Sequence, residues 1–504
     1  MSNPIFLLLV FLLLQSGCLH SSDNSVTVND PLSVFPNPDN EWWFAGRKQL
    51  ENRINLQPRV QHAKNIILFV GDGLSVTTVT AARIFDGQSR GGKGENNSLS
   101  FERFPYLALV KTYTTDSQVP DSAGTASAMN SGIKTRNRVI NVLPDQSKRD
   151  CYGPNKDFPL TLAERAESLG MATGVVTTTR ITHATPAAVY GHSTYRNWES
   201  DTDMPKWARQ SGCLDLAQQL ISFPKGNGLD VIMGGGRDKF LPESEGGKRR
   251  DSKNLSKEWL NGGDALGVQR HYADNLSAFR SAQHKPGQLL GLFAPSHMAY
   301  EADRDVDREP SLAEMTERAI DRLAENDKGY YLMVEGGRID HAHHATNAYR
   351  ALRDTQALAK AVESALKKVD LNETLILVTA DHSHAFAMAG YPVLGNPILG
   401  LVRNTKNSSD ETKLSLAADG KPYTTLGYLN GPNVHRTTDE ELVESQVLSR
   451  DYVQQSAVPL TSGTHSGEDV ALYAIGPQAH LVGGVIEQHT IFHIMAHALG
   501  WRFE

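Results

Sequence analysis

The chain has 504 residues, of which 39% are hydrophobic and 21% are charged, and this composition is typical of a globular protein with a large core. Its formal net charge of −7 at pH 7 excludes a strongly basic surface of the kind that binds a nucleic-acid backbone. We therefore expect no nucleic acid as a specific partner, and an anionic ligand would depend on local positive groups.

An apolar run at residues 5–14 is too short to span a bilayer but fits the hydrophobic region of a signal peptide. We predict a signal peptide at residues 1–24 and export to the periplasm or the extracellular space. The segment Gln15-Ser16-Gly17-Cys18 is similar to a lipoprotein cleavage site, although Gln15 stands where such sites usually have leucine. Lipidation of Cys18 would tether the protein to a membrane. The alternative is an uncleaved N-terminal helix.

The chain contains two other cysteines, Cys151 and Cys213. In an exported protein this pair can form one disulfide. They can equally be two buried thiols, because sequence spacing does not give the distance between them.

Six short apolar runs predict buried strands, because both faces of each strand would be apolar. They are residues 65–70, 174–178, 230–233, 330–334, 374–379 and 470–475. Amphipathic patterns predict helices at residues 160–169, 214–223, 311–326, 348–369 and 486–499. This alternation predicts an α/β fold with a large, mostly parallel central sheet and helices on both faces.

Two stretches interrupt the alternation of strands and helices. Residues 242–267 are charged and rich in glycine, which indicates a surface excursion, and residues 390–459 are rich in Gly, Asn, Thr and Pro. We predict an N-terminal arm at 25–60 and one large domain at 61–504, with an inserted subdomain at about 390–460.

Carboxylates and imidazoles stand next to the ends of several predicted strands. Asp72 follows the first strand, Glu335 and residues 340–344 follow the fourth, residues 381–384 follow the fifth, and His465 precedes the sixth. Ligands of parallel sheets bind beyond the carboxyl ends of the strands, so we expect these groups at one edge. Taken singly, each of these residues is more typical of a helix cap or a turn than of a binding site.

The spacing of two pairs favours metal binding. Asp340 and His344 stand four residues apart, so on a helix they share a face and can bind one ion. Asp381 and His382 are adjacent, and both can reach one ion only if the strand has ended before them.

Four carboxylates at one point would repel one another and any anionic ligand unless cations lay between them. These carboxylates are Asp72, Glu335, Asp340 and Asp381. The imidazoles expected beside them are those of His344, His382 and His465. This donor set suits zinc, with magnesium where only oxygen atoms are available.

The candidate nucleophile is Ser122, at the start of a predicted helix of small residues that begins Asp121-Ser122-Ala123-Gly124. A helix N-terminus presents unpaired N–H groups to an anion, although a polar cap on an alanine-rich helix has the same pattern. No Gly-x-Ser-x-Gly elbow surrounds Ser122, which disfavours a Ser-His-Asp hydrolase. The triple glycine 234–236 lacks the lysine of a P-loop and predicts a tight turn.

These motifs, with Thr182 to Pro186, resemble those of the alkaline phosphatases, in the same order from about residue 65 to residue 500. Residues 181–192 and 195–198 are especially similar to the animal members. The resemblance implies a catalytic domain with a crown-like insert, a homodimer, and hydrolysis of small phosphate monoesters through a phosphoserine intermediate. It also implies two zinc ions and one magnesium ion.

The resemblance implies a set of ligands for each metal ion. The residues implied for the first zinc are Asp340, His344 and His465. The residues implied for the second zinc are Asp381 and His382. The residues implied for magnesium are Thr185, Glu335 and Asp72, which would bridge to the second zinc.

It also implies roles around the phosphate. Ser122 would be the nucleophile and Arg196 would bind the phosphoryl group. His183 would reach magnesium only through water, and His341 would stand near the phosphate. His384 would orient a metal ligand.

Two further family features bear on this chain. Cys151 and Cys213 fall where a family disulfide occurs. Some animal members bind calcium through a Phe-Glu pair and a later acidic residue, but here the pair is Phe293-Ala294, followed by Glu309. Ala294 supplies no side-chain ligand, so the resemblance does not extend to a calcium site.

Three other classes of protein fit the motifs less well. Sulfatases usually carry a Cys/Ser-x-Pro-x-Arg run, whereas Ser122 is followed by Ala, Gly and Thr. Phosphodiesterases on this type of scaffold usually lack the third metal position, which Thr185 and Glu335 would supply. A non-catalytic metal-binding protein would need neither Ser122 nor Arg196.

Overall fold

The structure is a computed structural model that describes residues 39–146, 151, 158–282, 285–405, 412–433 and 441–502. The chain divides into two compact units, one ending at Leu56 and the other beginning at Gln57. The predicted signal peptide at 1–24, and Cys18 with it, lie outside the described residues. The boundaries predicted for the arm, the large domain and the insert stay predictions.

The described part of the first unit contains one helix, α1 (Glu41–Ile54). The side chain of Asn40 caps it by accepting a hydrogen bond from the backbone N–H of Trp42. No residue of α1 is buried, and Trp42 is 69% exposed.

The described part of the second unit contains seventeen strands and thirteen helices. The strands are β1 (Asn65–Gly71), β2 (Tyr106–Lys111), β3 (Ala172–Arg180), β4 (Val231–Gly235), β5 (Arg270–Ala273), β6 (Gln288–Leu292), β7 (Tyr330–Gly336), β8 (Thr374–Ala380), β9 (Ser383–His384), β10 (Phe386–Met388), β11 (Arg403–Thr405), β12 (Thr412–Leu414), β13 (Leu426–Gly431), β14 (Ser456–Pro459), β15 (His465–Ser466), β16 (Val470–Ile475) and β17 (Gly484–Glu487). The helices are α2 (Val76–Ser89), α3 (Ser122–Ser131), α4 (Leu162–Ser168), α5 (Ala184–Ala187), α6 (Lys206–Gln210), α7 (Leu216–Ile221), α8 (Leu255–Leu266), α9 (Leu276–Ser281), α10 (Leu312–Leu323), α11 (Arg338–His344), α12 (Ala348–Lys368), α13 (Glu444–Val447) and α14 (Thr490–Ala498).

Ten strands form one central sheet in the order β17-β2-β16-β8-β1-β7-β3-β4-β6-β5. Nine of them run in the same direction, and β16 runs antiparallel to both of its neighbours, β2 and β8. This confirms the predicted α/β fold with a large, mostly parallel sheet. The reversed strand matters for function, because its N-terminal end lies where the neighbouring strands have their carboxyl ends.

Helices cover both faces of the sheet, as two residues of β7 illustrate. The hydroxyl of Tyr331 donates to the side chain of Asn130 in α3, 2.8 Å away. Gly336 lies on the opposite face, because side chains alternate along a strand, and it packs against Leu358 of α12. The central strands are therefore buried on both sides, which explains their continuous apolar runs.

Smaller β-structures follow the end of β8. Strands β10, β13 and β14 form a three-stranded sheet, and β11 pairs with β12. Strand β15 pairs antiparallel with β9, so that His465 lies opposite His384. Through this pairing, the segment that precedes β16 lies next to the segment that follows β8.

The predicted strands and most predicted helices are confirmed, and three predictions are wrong in part. Residues 484–487 form an edge strand that pairs with β2, so the helix predicted from 486 begins only at Thr490. The excursion predicted at 242–267 contains α8, in which Leu255 and Trp259 are buried. The tight turn predicted at 234–236 is confirmed only at Gly236, whose φ is +96°, because Gly234 and Gly235 lie in β4.

Cys151 and Cys213 form a disulfide, as the resemblance implied. Cys213 packs with Trp198 and Met204 in a small apolar cluster. A disulfide is typical of a protein that folds in an oxidising compartment. Among the described residues, no helix has both the length and the apolar character needed to span a bilayer.

We expect Glu167→Gln to make the free energy of unfolding less dependent on pH between about 5 and 8. Burial, and then Asp230, raise the pKa of Glu167 to about 8, while the Thr173 hydroxyl donates to it over 2.6 Å. The folded protein therefore keeps a proton that the unfolded chain releases, and stability falls between about pH 5 and pH 8. Glutamine stays neutral and removes this loss.

Melting temperatures across that pH range measure the effect. The exposed Glu325 provides the control variant, Glu325→Gln, which should keep the parental pH dependence. Identical pH profiles for the parent and Glu167→Gln would contradict the prediction.

Candidate functional site

Three neighbouring strands of the central sheet end side by side at one edge. Gly71 of β1 pairs with Gly336 of β7 and with Ala380 of β8. Asp72 and Asp381 follow β1 and β8 directly, so both carboxylates emerge at this edge. Since β8 ends at Ala380, Asp381 and His382 are free of the strand geometry that would point them apart.

The first group of candidate ligands surrounds one oxygen of Asp340. Its Oδ1 lies 3.4 Å from Nε2 of His344, 3.4 Å from Nε2 of His465 and 2.6 Å from Nε2 of His384. Asp340 and His344 lie one turn apart on α11, as their spacing predicted. The structure therefore places Asp340, His344 and His465 together, and His384 lies closer to Asp340 than either of the other imidazoles.

Backbone carbonyls set the orientation of two of these imidazoles. His344 donates from Nδ1 to the carbonyl of Gly463 over 2.6 Å, and His465 donates from Nδ1 to the carbonyl of Pro120 over 2.8 Å. Each ring then presents the lone pair of Nε2, and the two Nε2 atoms are 3.2 Å apart. Two nitrogen lone pairs and a carboxylate oxygen thus face one another.

The serine hydroxyl lies in a second group. Ser122 is buried at the first position of α3, and its Oγ is 3.2 Å from Nε2 of His382 and 3.4 Å from Oδ1 of Asp72. The side chain of Asp121 caps the helix by accepting from the N–H of Gly124 over 3.2 Å. Nε2 of His382 also lies 3.3 Å from Asp72.

Asp381 lies next to this second group. Its Oδ1 accepts hydrogen bonds from the backbone N–H groups of Gly73 and His382. Its Oδ2 is buried without a hydrogen-bond partner and lies 3.3 Å from Nε2 of His382. Gly73 has φ +69°, and a Cβ there would lie 2.7 Å from the ring of His384, so only glycine fits this turn.

The third group surrounds Glu335, which is completely buried in β7. Its Oε2 accepts hydrogen bonds from the hydroxyls of Thr177 and Thr179, while its Oε1 has no hydrogen-bond partner. Thr185, at the start of α5, is also fully buried, and its hydroxyl has no partner either. His183 offers a ring nitrogen to the same place.

Arg196 lies beside the serine helix and is tied to it. One terminal nitrogen donates to Oδ2 of Asp121 over 2.9 Å, and the other donates to Nε2 of His183 over 3.1 Å. A guanidinium carries five N–H groups, so further donors remain for a ligand. The helix cap next to Ser122 thus also orients the nearest positive charge.

Two histidines at the site were not predicted from the sequence. His343 is completely buried in α11, where it contacts the hydroxyl of Thr78 over 2.9 Å and that of Tyr428 over 2.8 Å. The ring centroid of His297 lies 4.3 Å from that of His341. Spacing could have suggested His343, which follows Asp340 by three residues, whereas no local pattern points to His297.

Burial and mutual repulsion shift the pKa values of three carboxylates upwards. Burial, and then Asp381 and Asp340, raise the pKa of Asp72 well above its usual value. Burial, and then Asp381, raise the pKa of Glu335 to about 7, and burial, and then Asp340, raise that of Asp381 to about 6. Burial raises the pKa of Asp340 as well, but the neighbouring His344, His384 and His465 outweigh burial and hold its pKa well below the usual value.

The donor atoms fall into three groups that fit metal ions, each with its atoms within 4.8 Å of one another. The first group is Asp340, His344, His384 and His465. The second is Asp72, Asp340 and His382, and the third is Asp72, His183 and Glu335. Nitrogen and oxygen donors suit zinc, and the unpartnered oxygens of Asp381, Glu335 and Thr185 are groups that a bound cation would satisfy.

The grouping differs from the ligand sets implied by resemblance, since His384 joins the first group and His183 joins the third. Asp340 contributes to two groups, and Asp381 lies beside the second one rather than in it. At the implied calcium position, Ala294 is buried, and Glu309 accepts a hydrogen bond from the N–H of Ala299 over 3.0 Å. The absence of a calcium site stays a prediction.

An α/β sheet that gathers a serine hydroxyl and three groups of metal-binding side chains at one edge is the arrangement of a metal-dependent hydrolase. The alkaline phosphatase family model matches residues 63–501. The chain belongs to the alkaline phosphatase family, and it is a phosphoric monoester hydrolase.

Relatives from animals agree with this assignment. The chain is 41% identical over 479 residues to the tissue-nonspecific alkaline phosphatase isozyme of Gallus gallus, which covers 91% of this chain and 89% of that protein. It is 40% identical over 474 residues to an alkaline phosphatase of Gadus morhua, covering 91% and 96%.

Solved structures share the fold at lower identity. The alkaline phosphatase of Thermus thermophilus matches with a TM-score of 0.63 and 23% identity, covering 91% of this chain and 96% of that one. The enzyme of the Antarctic bacterium TAB5 matches with a TM-score of 0.60 and 23% identity, covering 88% and 100%.

Proposed function

We propose that this protein hydrolyses phosphate monoesters to an alcohol and inorganic phosphate, with Ser122 as the nucleophile and a phosphoserine intermediate. The observation that carries the proposal is the position of the Ser122 hydroxyl. It lies at a helix N-terminus, 3.2 Å from Nε2 of His382 and beside the guanidinium of Arg196. Helix N–H groups and a planar guanidinium both favour a phosphoryl group at this point.

The protein groups divide the work between binding and transfer. Arg196, held by Asp121, would bind two phosphoryl oxygens and keep phosphorus in line with Oγ of Ser122. The buried position of Ser122 excludes bulk water, which strengthens each of these charged contacts. Asp121 therefore acts twice, since it also caps the helix that carries the nucleophile.

The donor groups would hold two zinc ions and one magnesium ion. Asp340, His344 and His465 would hold the first zinc. Asp381 and His382, with Asp72, would hold the second, and Glu335, Thr185 and Asp72 would hold magnesium. When bound, such ions lower the pKa of a coordinated hydroxyl or water and stabilise the oxygens that enter and leave phosphorus.

The test is turnover of p-nitrophenyl phosphate by the purified full chain supplied with zinc and magnesium. We expect release of phosphate, and acid quenching should trap a phosphorylated peptide that contains Ser122. The controls are bis(p-nitrophenyl) phosphate and p-nitrophenyl sulfate, which should react far more slowly. Faster turnover of either control, or phosphorylation at another residue, would overturn the proposal.

We expect Arg196→Lys to weaken phosphate binding by about 10- to 100-fold, since hydrogen bonds to charged groups contribute about 1.5–3 kcal/mol. An ammonium keeps the charge but cannot form the paired contacts of a guanidinium. The inhibition constant of inorganic phosphate measures the effect. Arg209→Lys, on α6 and exposed, is the control and should leave it unchanged. Equal inhibition constants in Arg196→Lys and the parent would contradict this reading.

We also infer that the protein is exported, which its disulfide supports. Tethering through a lipid on Cys18 rests on the similarity of residues 15–18 to a lipoprotein cleavage site, and assembly into a homodimer rests on the family resemblance. Both stay predictions. Small phosphate monoesters are the expected ligands, because the groups around Ser122 would hold the phosphoryl moiety and not the rest of the substrate.

A further inference from the structure

Arg338 makes a contact that the proposed mechanism does not use. It is the first residue of α11, and a terminal nitrogen of its side chain lies 2.8 Å from Nδ1 of His341. Its guanidinium also lies over the ring of Tyr300, with the central carbon 3.8 Å from the ring centroid. The side chains of Arg338 and His341 are half-buried, so the contact between them is partly shielded from water.

This contact determines where the proton of His341 resides. A guanidinium is only a donor, so Nδ1 of His341 must accept the hydrogen bond with its lone pair. The ring is then neutral and carries its proton on Nε2. Among the described residues, no hydrogen bond to Nε2 of His341 is formed, so that N–H stays available to a ligand.

His341 lies on the side of the site where Arg196 is found. Its ring centroid is 5.4 Å from that of His183, whose Nε2 in turn accepts from Arg196 over 3.1 Å. The ring of His297 packs against it from the other side, 4.3 Å away. Packing on two sides and a fixed hydrogen bond leave His341 little freedom to rotate.

We propose that Arg338 is a positioning residue for the phosphatase reaction: it holds His341 as the neutral tautomer with the proton on Nε2, so that this N–H can donate to the phosphoryl group or to a water bound to it. The effect of this N–H on catalysis rests on the proposed function. The contact between the two side chains is independent of that function. Tyr300 supports the arrangement by fixing the plane of the guanidinium.

The decisive experiment measures the tautomer directly in the full-length protein loaded with zinc, magnesium and inorganic phosphate. Histidine ring nitrogens labelled with ¹⁵N have different chemical shifts in the two neutral tautomers, and a spectrum of His341→Gln identifies the signals of His341. We expect the parent to show His341 protonated on Nε2, and Arg338→Met to lose this preference. Arg338→Lys, which retains a donor, should restore it in part.

Kinetics separate positioning from general support of the fold. We expect Arg338→Met to raise KM and the phosphate inhibition constant by about three- to tenfold, the effect of one hydrogen bond. In a His341→Gln background the same substitution should add no further effect, because its route through His341 is already lost. The control is Arg353→Met, since Arg353 makes the same type of contact three residues along a helix, to Gln356 over 3.0 Å.

The results that would overturn the proposal are distinct from those that would overturn the function. An unchanged His341 tautomer in Arg338→Met, or fully additive effects in the double variant, would show that Arg338 does not act through His341. Absence of p-nitrophenyl phosphate turnover in the parent would instead contradict the proposed function, and the tautomer measurement would still decide the role of Arg338.

Discussion

In Ser122→Ala, hydrolysis of p-nitrophenyl phosphate should fall by at least about three orders of magnitude, because removal of a nucleophile eliminates the covalent route. The fold should persist. Ser122 has only longer contacts to Asp72 and His382, and the cap of α3 comes from Asp121. Steady-state turnover and acid-trapped phosphoprotein measure the two consequences, and we expect no labelled phosphoserine.

A control on the same helix distinguishes chemistry from stability. The hydroxyl of Ser131 donates to the carbonyl of Ser127 over 2.8 Å at the far end of α3. Ser131→Ala should therefore keep the parental turnover. A phosphorylated intermediate that survived in Ser122→Ala would refute the assignment of the nucleophile, whatever the residual rate.

Removal of the metal ions with a chelator should abolish both turnover and phosphate binding. Four buried carboxylates would then face the phosphate, and Arg196 would supply the main positive charge against them. The site would therefore repel a phosphate dianion. Zinc and magnesium should restore activity together. Metal content, turnover and phosphate binding measured on the same sample check this result.

The metal-free protein should also lose stability as the pH rises above about 6.5. Burial raises the pKa of Glu335 to about 7 and that of Asp72 well above its usual value, so the folded state binds protons that the unfolded chain has released. Stability from such groups is present at lower pH and is lost as pH rises through the folded pKa. At lower pH, His382 has the opposite effect on stability. Burial holds the pKa of its ring well below the usual value, so the ring stays neutral in the folded protein but takes up a proton in the unfolded chain.

Bound cations keep these carboxylates ionised, so the metal-loaded protein should show no such loss. Melting temperatures of the two forms across the same pH range provide the comparison. A metal-free protein that turned over substrate, or whose melting temperature stayed level with rising pH, would contradict the proposed centre.

The strands around the site could be predicted because their signal is local. Continuous apolar runs marked β1, β7 and β8, and polar residues marked the points where they end. The edge strand β17 was missed, because its pattern is short and exposed and depends on pairing with β2. Pairing partners distant in sequence decide such segments.

The site could be predicted as a set of residues but not as an arrangement. The spacing of Asp340 and His344 correctly indicated a shared helix face. The orientation of the imidazoles depends on carbonyls far away in sequence: Gly463 lies 119 positions from His344, and Pro120 lies 345 positions from His465. No local pattern contains that information, and the same holds for the packing of His297 against His341.

The reversed direction of β16 has a consequence for biogenesis. It brings His465 to a centre whose first carboxylate is Asp72, so the ligand groups are complete only when nearly all of the polypeptide has been synthesised. A nascent chain, or one still threading through a translocation pore, carries the serine and most carboxylates without the last imidazole. If the proposed metal ions bind, we therefore expect them to load late in maturation, and C-terminally truncated fragments should accumulate as inactive, metal-poor protein.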